Sequence, residues 1–150
     1  MNPQNEFTVL LVDDDDVACE SVTRSFRKHN IPFPIVAAHD GLEALDILRG
    51  KHAEKSVTAP LIVLLDLNMP RMNGFEFLQE VRADRNLSSL VIFVLTTSND
   101  DSDRTRAYSE NIAGYMVKSM VGPQFSKLAS LLMDYRLAVT LPTHRMASNG

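Results

Sequence analysis

The sequence predicts an α/β fold: one doubly wound (βα)5 domain built on a parallel five-stranded sheet. Three observations predict it. The runs Phe7 to Val12, Leu61 to Leu65 and Leu90 to Leu95 are apolar almost throughout, as strands buried on both faces are. The segments between them carry apolar residues at helical spacing. At 150 residues the chain has room for one core and little more.

The elements follow in order. The first strand, Phe7 to Val12, runs into four aspartates, Asp13 to Asp16, in "FTVLLVDDDDVACE". Val22 and Phe26, one turn apart, mark the first helix. Pro34 to Ala38 is a weaker second strand, and Leu42, Leu45 and Leu48 give the second helix its stripe. Arg49 to Pro60 is a long polar connection. Leu61 to Leu65 is the third strand, and Phe75, Leu78 and Val81 mark the third helix. After the fourth strand, Leu90 to Leu95, the segment between Asp100 and Asn111 is a fourth helix with few apolar anchors. An element of that kind is loosely held or carries a partner surface. Gly114 to Val117 is the fifth strand, and Phe125, Leu128, Leu132 and Tyr135 stripe the last helix. The domain is expected over 1–139, with 140–150 a frayed, dispensable tail. Strands alternating with helices put the sheet between two helical layers.

Composition excludes several function classes. Apolar residues are 45% and charged residues 23%, ordinary for a globular domain. A net charge of -4 gives no basic footprint, so direct nucleic-acid binding is not expected. One cysteine, Cys19, excludes an internal disulfide and suits a reducing compartment. His29, His39, His52 and His144 lack metal-ligand spacing, which argues against zinc. No apolar run nears the roughly 20 residues of a membrane span, and the N-terminus lacks a secretion signal. A cytoplasmic location, with no membrane partner, is the expectation.

Chemistry concentrates at the carboxyl ends of the strands, where open parallel sheets collect ligands. Asp13 and Asp14 follow the first strand and Asp66 the third. Thr96 and Thr97 follow the fourth, and Lys118 the fifth. If these strands are neighbours, three carboxylates, a hydroxyl and an ammonium share one crevice. Two unit charges about 4 Å apart repel by about 4 kcal/mol at an effective dielectric of 20. A divalent cation offsets that, and all-oxygen ligands with room for water suit Mg²⁺. Thr96 and Lys118 then face the oxygens of a phosphoryl group. Taken singly each residue has a plainer role. Asp15 and Asp16 read better as a helix N-cap and first-turn acid. Asp66 alone is a turn residue, Thr96 a loop hydroxyl, Lys118 a surface charge and Tyr115 a core aromatic. Their joint placement favours the shared site.

The motifs "LLVDDDD", "LIVLLDLNMPRMNG", "VIFVLTTS" and "GYMVKS" resemble, in order and spacing, those of the response-regulator receiver domain of two-component signalling. The likeness runs from about Phe7 to Tyr135. It implies the CheY-like, flavodoxin-like strand order 2-1-3-4-5. It implies that Asp66 accepts phosphate from a histidine kinase, in a self-catalysed transfer by a protein that is not otherwise an enzyme. Asp13, Asp14, Asp66 and the backbone carbonyl of Asn68 would hold Mg²⁺, Asp14 directly and Asp13 through water. Thr96 is the switch hydroxyl, Lys118 pairs with the phosphoryl group, and Tyr115 is the aromatic that follows the switch. Asn68 and Ser98 match positions that tune phosphoryl lifetime. The family usually has proline after the lysine, often across a cis bond; here it is Ser119. Lys-Ser at that point, the Arg49–Pro60 connection and no output domain resemble the small regulators associated with bacterial phytochrome kinases. The fourth helix, fifth strand and last helix form the face expected to make a homodimer or dock a partner. The alternatives are a pseudo-receiver that never takes phosphate, and a phosphate sink or relay without a downstream effector. An aspartate phosphatase would need an acid at 68, where Asn68 stands. A flavodoxin would not tolerate acids against its phosphate, and no G-x-x-x-x-G-K-[ST] loop is present.

Overall fold

A computed structural model describes residues 7–142, with five strands and five helices alternating along the chain. They are β1 (Thr8–Val12), α1 (Asp16–Lys28), β2 (Ile35–Ala38), α2 (Gly41–Leu48), β3 (Leu61–Leu65), α3 (Gly74–Ala83), β4 (Val91–Thr96), α4 (Asp101–Tyr108), β5 (Gly114–Val117) and α5 (Ser126–Ala138). The strands pair in parallel in the order β2-β1-β3-β4-β5, as expected. β1 and β3 are therefore neighbours at the centre, with β4 beside β3, which brings the acidic strand ends together.

Side chains of the strands alternate between two apolar layers. Leu10, Val12, Val63, Leu65, Ile92 and Val94 meet α2 and α3 through Leu45, Leu48, Phe77, Leu78 and Val81. Val9, Leu11, Ile62, Leu64, Phe93 and Leu95 meet α1 and α5 through Val22, Phe26, Leu128 and Leu132. Both faces being buried explains the unbroken apolar runs in the sequence. Among the described residues no helix is long and apolar enough to cross a membrane.

Capping places the helix starts next to the site. Asp15 accepts from the N–H groups of Val17 and Ala18, and Asp16 lies in the first turn of α1. Two of the four consecutive aspartates thus begin a helix, as read from the sequence. Asn73 and Glu76 form a reciprocal capping box at α3. Gly74 is packed so closely that a Cβ there would sit 2.5 Å from the Asp66 carbonyl oxygen, so α3 starts directly against the β3 end.

α4 is anchored by charge where apolar side chains are missing. Ala107 is its buried residue, while the Arg106 guanidinium lies 4.0 Å from the Phe75 ring centre and Arg104 5.9 Å from that of Tyr115. Cation–π contacts of that kind contribute about 0.5–1 kcal/mol each at exposed sites. Arg82 closes the same side: its guanidinium donates to the carbonyls of Ser88, Leu90, Glu110 and Asn111.

The polar connection 49–60 is pinned, not loose. Glu43 of α2 accepts from the His39 N–H (2.7 Å) and from Lys55 Nζ (3.3 Å), and its Oε2 lies 3.0 Å from His52 Nε2. Lys55 also donates to the Ala37 carbonyl of edge strand β2 (2.7 Å). His52 Nδ1 accepts the N–H groups of Glu54 and Lys55, so the proton of the neutral ring sits on Nε2, facing Glu43. Burial pushes the Glu43 pKa up, but the hydrogen bonds from His39, His52 and Lys55 outweigh it and leave it at about 2, below its ordinary 4.5. A carboxyl whose folded pKa is depressed adds stability that is complete above the unfolded value and lost as pH falls through the folded one. Glu43→Gln is therefore expected to lower stability by about 1 kcal/mol near neutrality, allowing for solvent screening. Thermal melts should show the gap to wild type closing between 4.5 and about 2.

Of the tail expected over 140–150, Leu141 packs against the α1–α5 layer. The remainder, 143–150, lies outside the described residues. The fourth helix, expected between Asp100 and Asn111, spans Asp101–Tyr108. The cis peptide bond among the described residues joins Ala59 and Pro60, so Lys118–Ser119 is trans and opens a short 3-10 turn, Lys118–Met120.

Candidate functional site

The carboxyl ends of β1, β3, β4 and β5 supply the site. Asp13 and Asp66 are buried, with relative exposures of 1% and 6%, whereas Asp14 points to solvent. One carboxylate oxygen from each of the three lies within 4.8 Å of the others. Lys118 donates to Asp13 Oδ2 at 2.7 Å and stands 3.8 Å from Asp66 Oδ2. Thr96 Oγ1 donates to the other Asp66 oxygen at 2.8 Å. Asp13 Oδ1 accepts the Asp15 N–H at 2.9 Å, so the N-cap of α1 is tied to the buried acid.

The electrostatics follow from three acids around one cation. Burial raises the Asp13 pKa above the ordinary carboxylate value, with the Asp66 charge adding to it against the Lys118 and Asp15 hydrogen bonds. Burial pulls Lys118 down, but its bond to Asp13 and the charges of Asp13, Asp66 and Asp15 outweigh that and hold it above 10.5. Both groups are displaced toward the protonated form, Asp13 chiefly by burial and Lys118 by the carboxylates around it. The nearby Cys19 thiol donates to the Asp13 carbonyl at 3.6 Å, and burial with the surrounding carboxylates pushes it up to about 11. It is no nucleophile there.

The donor set is all oxygen and combines two buried carboxylates with one open to water. That chemistry fits a hard divalent cation that keeps part of its hydration shell. Asp66 is the one acid of the three that touches both a hydroxyl and the ammonium.

Other expected residues sit around this centre at different distances. The Asn68 side chain is exposed, and its N–H is 3.5 Å from Asp66 Oδ1, a long contact. No hydrogen bond joins Tyr115 to Thr96 directly. The Tyr115 hydroxyl donates to the Ser98 carbonyl at 3.0 Å, and the Ser98 N–H donates to Thr96 Oγ1 at 3.4 Å. The ring is thus linked to Thr96 through one intervening residue, Ser98. Two contributors were missed in the sequence. Asp103 accepts from Ser98 Oγ at 2.7 Å, and the Tyr108 hydroxyl accepts the Tyr115 N–H at 3.2 Å. Both lie on α4, whose lack of an apolar stripe was the available signal that its contacts are polar.

The model of the response regulator receiver domain matches residues 9–130. The chain is similar to the probable methanogenesis regulatory protein FilR2 of Methanothrix harundinacea, 31% identical over 137 residues, covering 91% of this chain and 88% of that one. It is similar to response regulator Rcp1 of Synechocystis, 29% identical over 135 residues (89% and 92% covered), whose Mn²⁺-bound crystal structure superposes with a TM-score of 0.79 at 28% identity, covering 91% of this chain and 99% of that one. The phosphorylated cyanobacterial phytochrome response regulator RcpA superposes with a TM-score of 0.80 at 27% identity, covering 92% of this chain and 99% of that one. With the acid cluster, hydroxyl and lysine at the ends of a 2-1-3-4-5 sheet, the chain belongs to the response regulator receiver domain family of two-component signalling.

Proposed function

We propose that the protein accepts a phosphoryl group from a histidine kinase onto Asp66, in the cytoplasm and with Mg²⁺, and signals by changing its protein contacts. The reading is carried by one observation: Asp66 is held by Thr96 on one oxygen and faces Lys118 with the other, inside the three-acid cluster. In the transfer, an Asp66 oxygen attacks phosphorus as the donor's P–N bond breaks, and the leaving imidazole keeps the electron pair. Asp13, Asp14, Asp66 and the Asn68 carbonyl would hold the cation. Bound there, it offsets charge on the transferring group. Lys118 exchanges its bond with Asp13 for one to a phosphoryl oxygen, and Thr96 turns its hydroxyl from Asp66 to another. Asn68 and Ser98, beside the acceptor and the switch hydroxyl, set how readily water reaches the acyl phosphate.

The Thr96–Ser98–Tyr115 chain and the Ser98–Asp103 bond support a path from Asp66 to α4. Tyr108, Leu131, Leu137 and Val139 are exposed on or beside α4 and α5, which supports that face as the homodimer or partner surface. The likeness to RcpA, a cyanobacterial phytochrome response regulator, supports a bacteriophytochrome as the kinase. Incubation with acetyl phosphate tests the reaction. A hydroxylamine-labile phosphoryl group should form with Mg²⁺ and not in EDTA, and equal labelling without divalent metal would contradict the proposal. Sedimentation with beryllofluoride and Mg²⁺ should show tighter self-association or partner binding than without. Thr96→Ala should abolish that difference, and an undiminished difference would refute the coupling.

A further inference from the structure

Asn68 sits in the loop between β3 and α3, and the middle of that loop has little of its own to hold it. Asn68, Pro70 and Arg71 are exposed, and the Asn68 N–H makes only the 3.5 Å contact with Asp66. The ends are fixed elsewhere, by buried Leu67, whose carbonyl accepts the Gly74 N–H at 2.9 Å. The middle is fastened to α2. The Gly41 N–H donates to the Met72 carbonyl at 3.0 Å, and a Cβ at Gly41 would sit 2.7 Å from Met72 Cγ, so the two segments are in close contact. Next to it Arg71 stands at φ 62°, a left-handed backbone that an L residue adopts only when its surroundings impose it. Its side chain reaches Asp40. Nε and Nη2 both lie 2.6 Å from Asp40 Oδ2. Asp40 is 4% exposed and spends its other oxygen capping α2 at the Glu43 N–H, 2.8 Å away. A buried carboxylate held in place by a helix N-terminus is thus the fixed post, and the arginine is the tie.

We propose that the Arg71–Asp40 pair is a positioning device for the phosphoryl site: it holds the 67–73 loop so that Asn68 meets the cation gathered by Asp13, Asp14 and Asp66. This rests on the proposed reading of those acids. Neither Arg71 nor Asp40 touches the acid cluster, so their effect reaches it through the loop backbone.

The test is the affinity for Mn²⁺, read from the signal of the free ion by electron paramagnetic resonance, alongside thermal melts. Arg71→Ala and Asp40→Asn should each weaken binding about tenfold, the lower end for residues that orient metal ligands from outside. Asp40→Asn keeps an oxygen for the α2 cap, so its loss isolates the ion pair. The double variant should bind no worse than either single one, because both remove the same tie. Arg71→Gly removes strain and side chain together and should lose as much as Arg71→Ala. Arg71→Lys should recover part of the loss. Folded single variants that bind Mn²⁺ like wild type overturn the inference, as does a double variant whose losses multiply. An Arg71→Gly protein with full affinity also overturns it, since backbone conformation alone would then suffice. If wild type itself takes up no Mn²⁺, the metal reading fails at its root, a result distinct from any of these.

Discussion

Asp66→Asn is expected to abolish phosphoryl uptake altogether while leaving the fold intact. The amide keeps the size of the carboxyl and an oxygen to accept the Thr96 hydroxyl, so the 2.8 Å contact that packs the β3 and β4 ends survives. What disappears is the anionic oxygen that attacks phosphorus, along with one of the three charges that gather the cation. Removing a carboxylate from a repelling cluster should also raise thermal stability in the metal-free protein, since the repulsion goes with it. Phosphorylation by acetyl phosphate and melting temperature, measured on the same sample, check both halves. Labelling in a folded Asp66→Asn protein would end the assignment.

Lys118→Ala is expected to have the largest effect on stability. Asp13 is almost wholly buried and its Oδ2 has the Lys118 ammonium 2.7 Å away. Removing one partner of a buried pair leaves the other charge uncompensated, which costs about 3 kcal/mol or more. Two features of the site shape that loss. Burial already raises the Asp13 pKa, so the variant can take up a proton there. A group whose folded pKa is raised adds stability that is complete below its unfolded pKa and lost as pH rises through the folded one. The deficit should therefore be greatest at neutral pH and shrink on acidification. Millimolar Mg²⁺ should shrink it as well, because a cation replaces the missing positive charge. Denaturant titrations at several pH values, with and without Mg²⁺, give the answer. A deficit that ignores both would mean that Lys118 matters only for packing.

The strands and the site were legible in the sequence for different reasons. β1, β3 and β4 announce themselves because both faces of a central parallel strand are buried, so their residues cannot alternate. The acids were legible because unbroken apolar runs end abruptly in Asp13 and Asp66. Asp15 could be separated from Asp13 because a residue at a helix start has a competing use, and it is indeed the N-cap of α1. The edges were harder. β2 and β5 are four residues each and only half buried, so their runs are weak. The hold on α4 was illegible because it depends on Arg106 meeting Phe75 from another helix and Asp103 meeting Ser98, pairings that no local period encodes. Glu43 was missed for the same reason. His39 and His52 are scattered in sequence yet converge on it once the 49–60 connection folds back over α2. The tie between Arg71 and Asp40, 31 positions apart, shows the same limit at the site itself.

Mapping the modified residue tests the central claim most directly. Protein treated with acetyl phosphate and Mg²⁺ is reduced with borohydride, which converts an aspartyl phosphate to homoserine, and digested for peptide mass mapping. Homoserine at position 66 and nowhere else is the expected result. Homoserine at 13 or 14, or an unmodified Asp66 in protein that has demonstrably taken up phosphate, would contradict it.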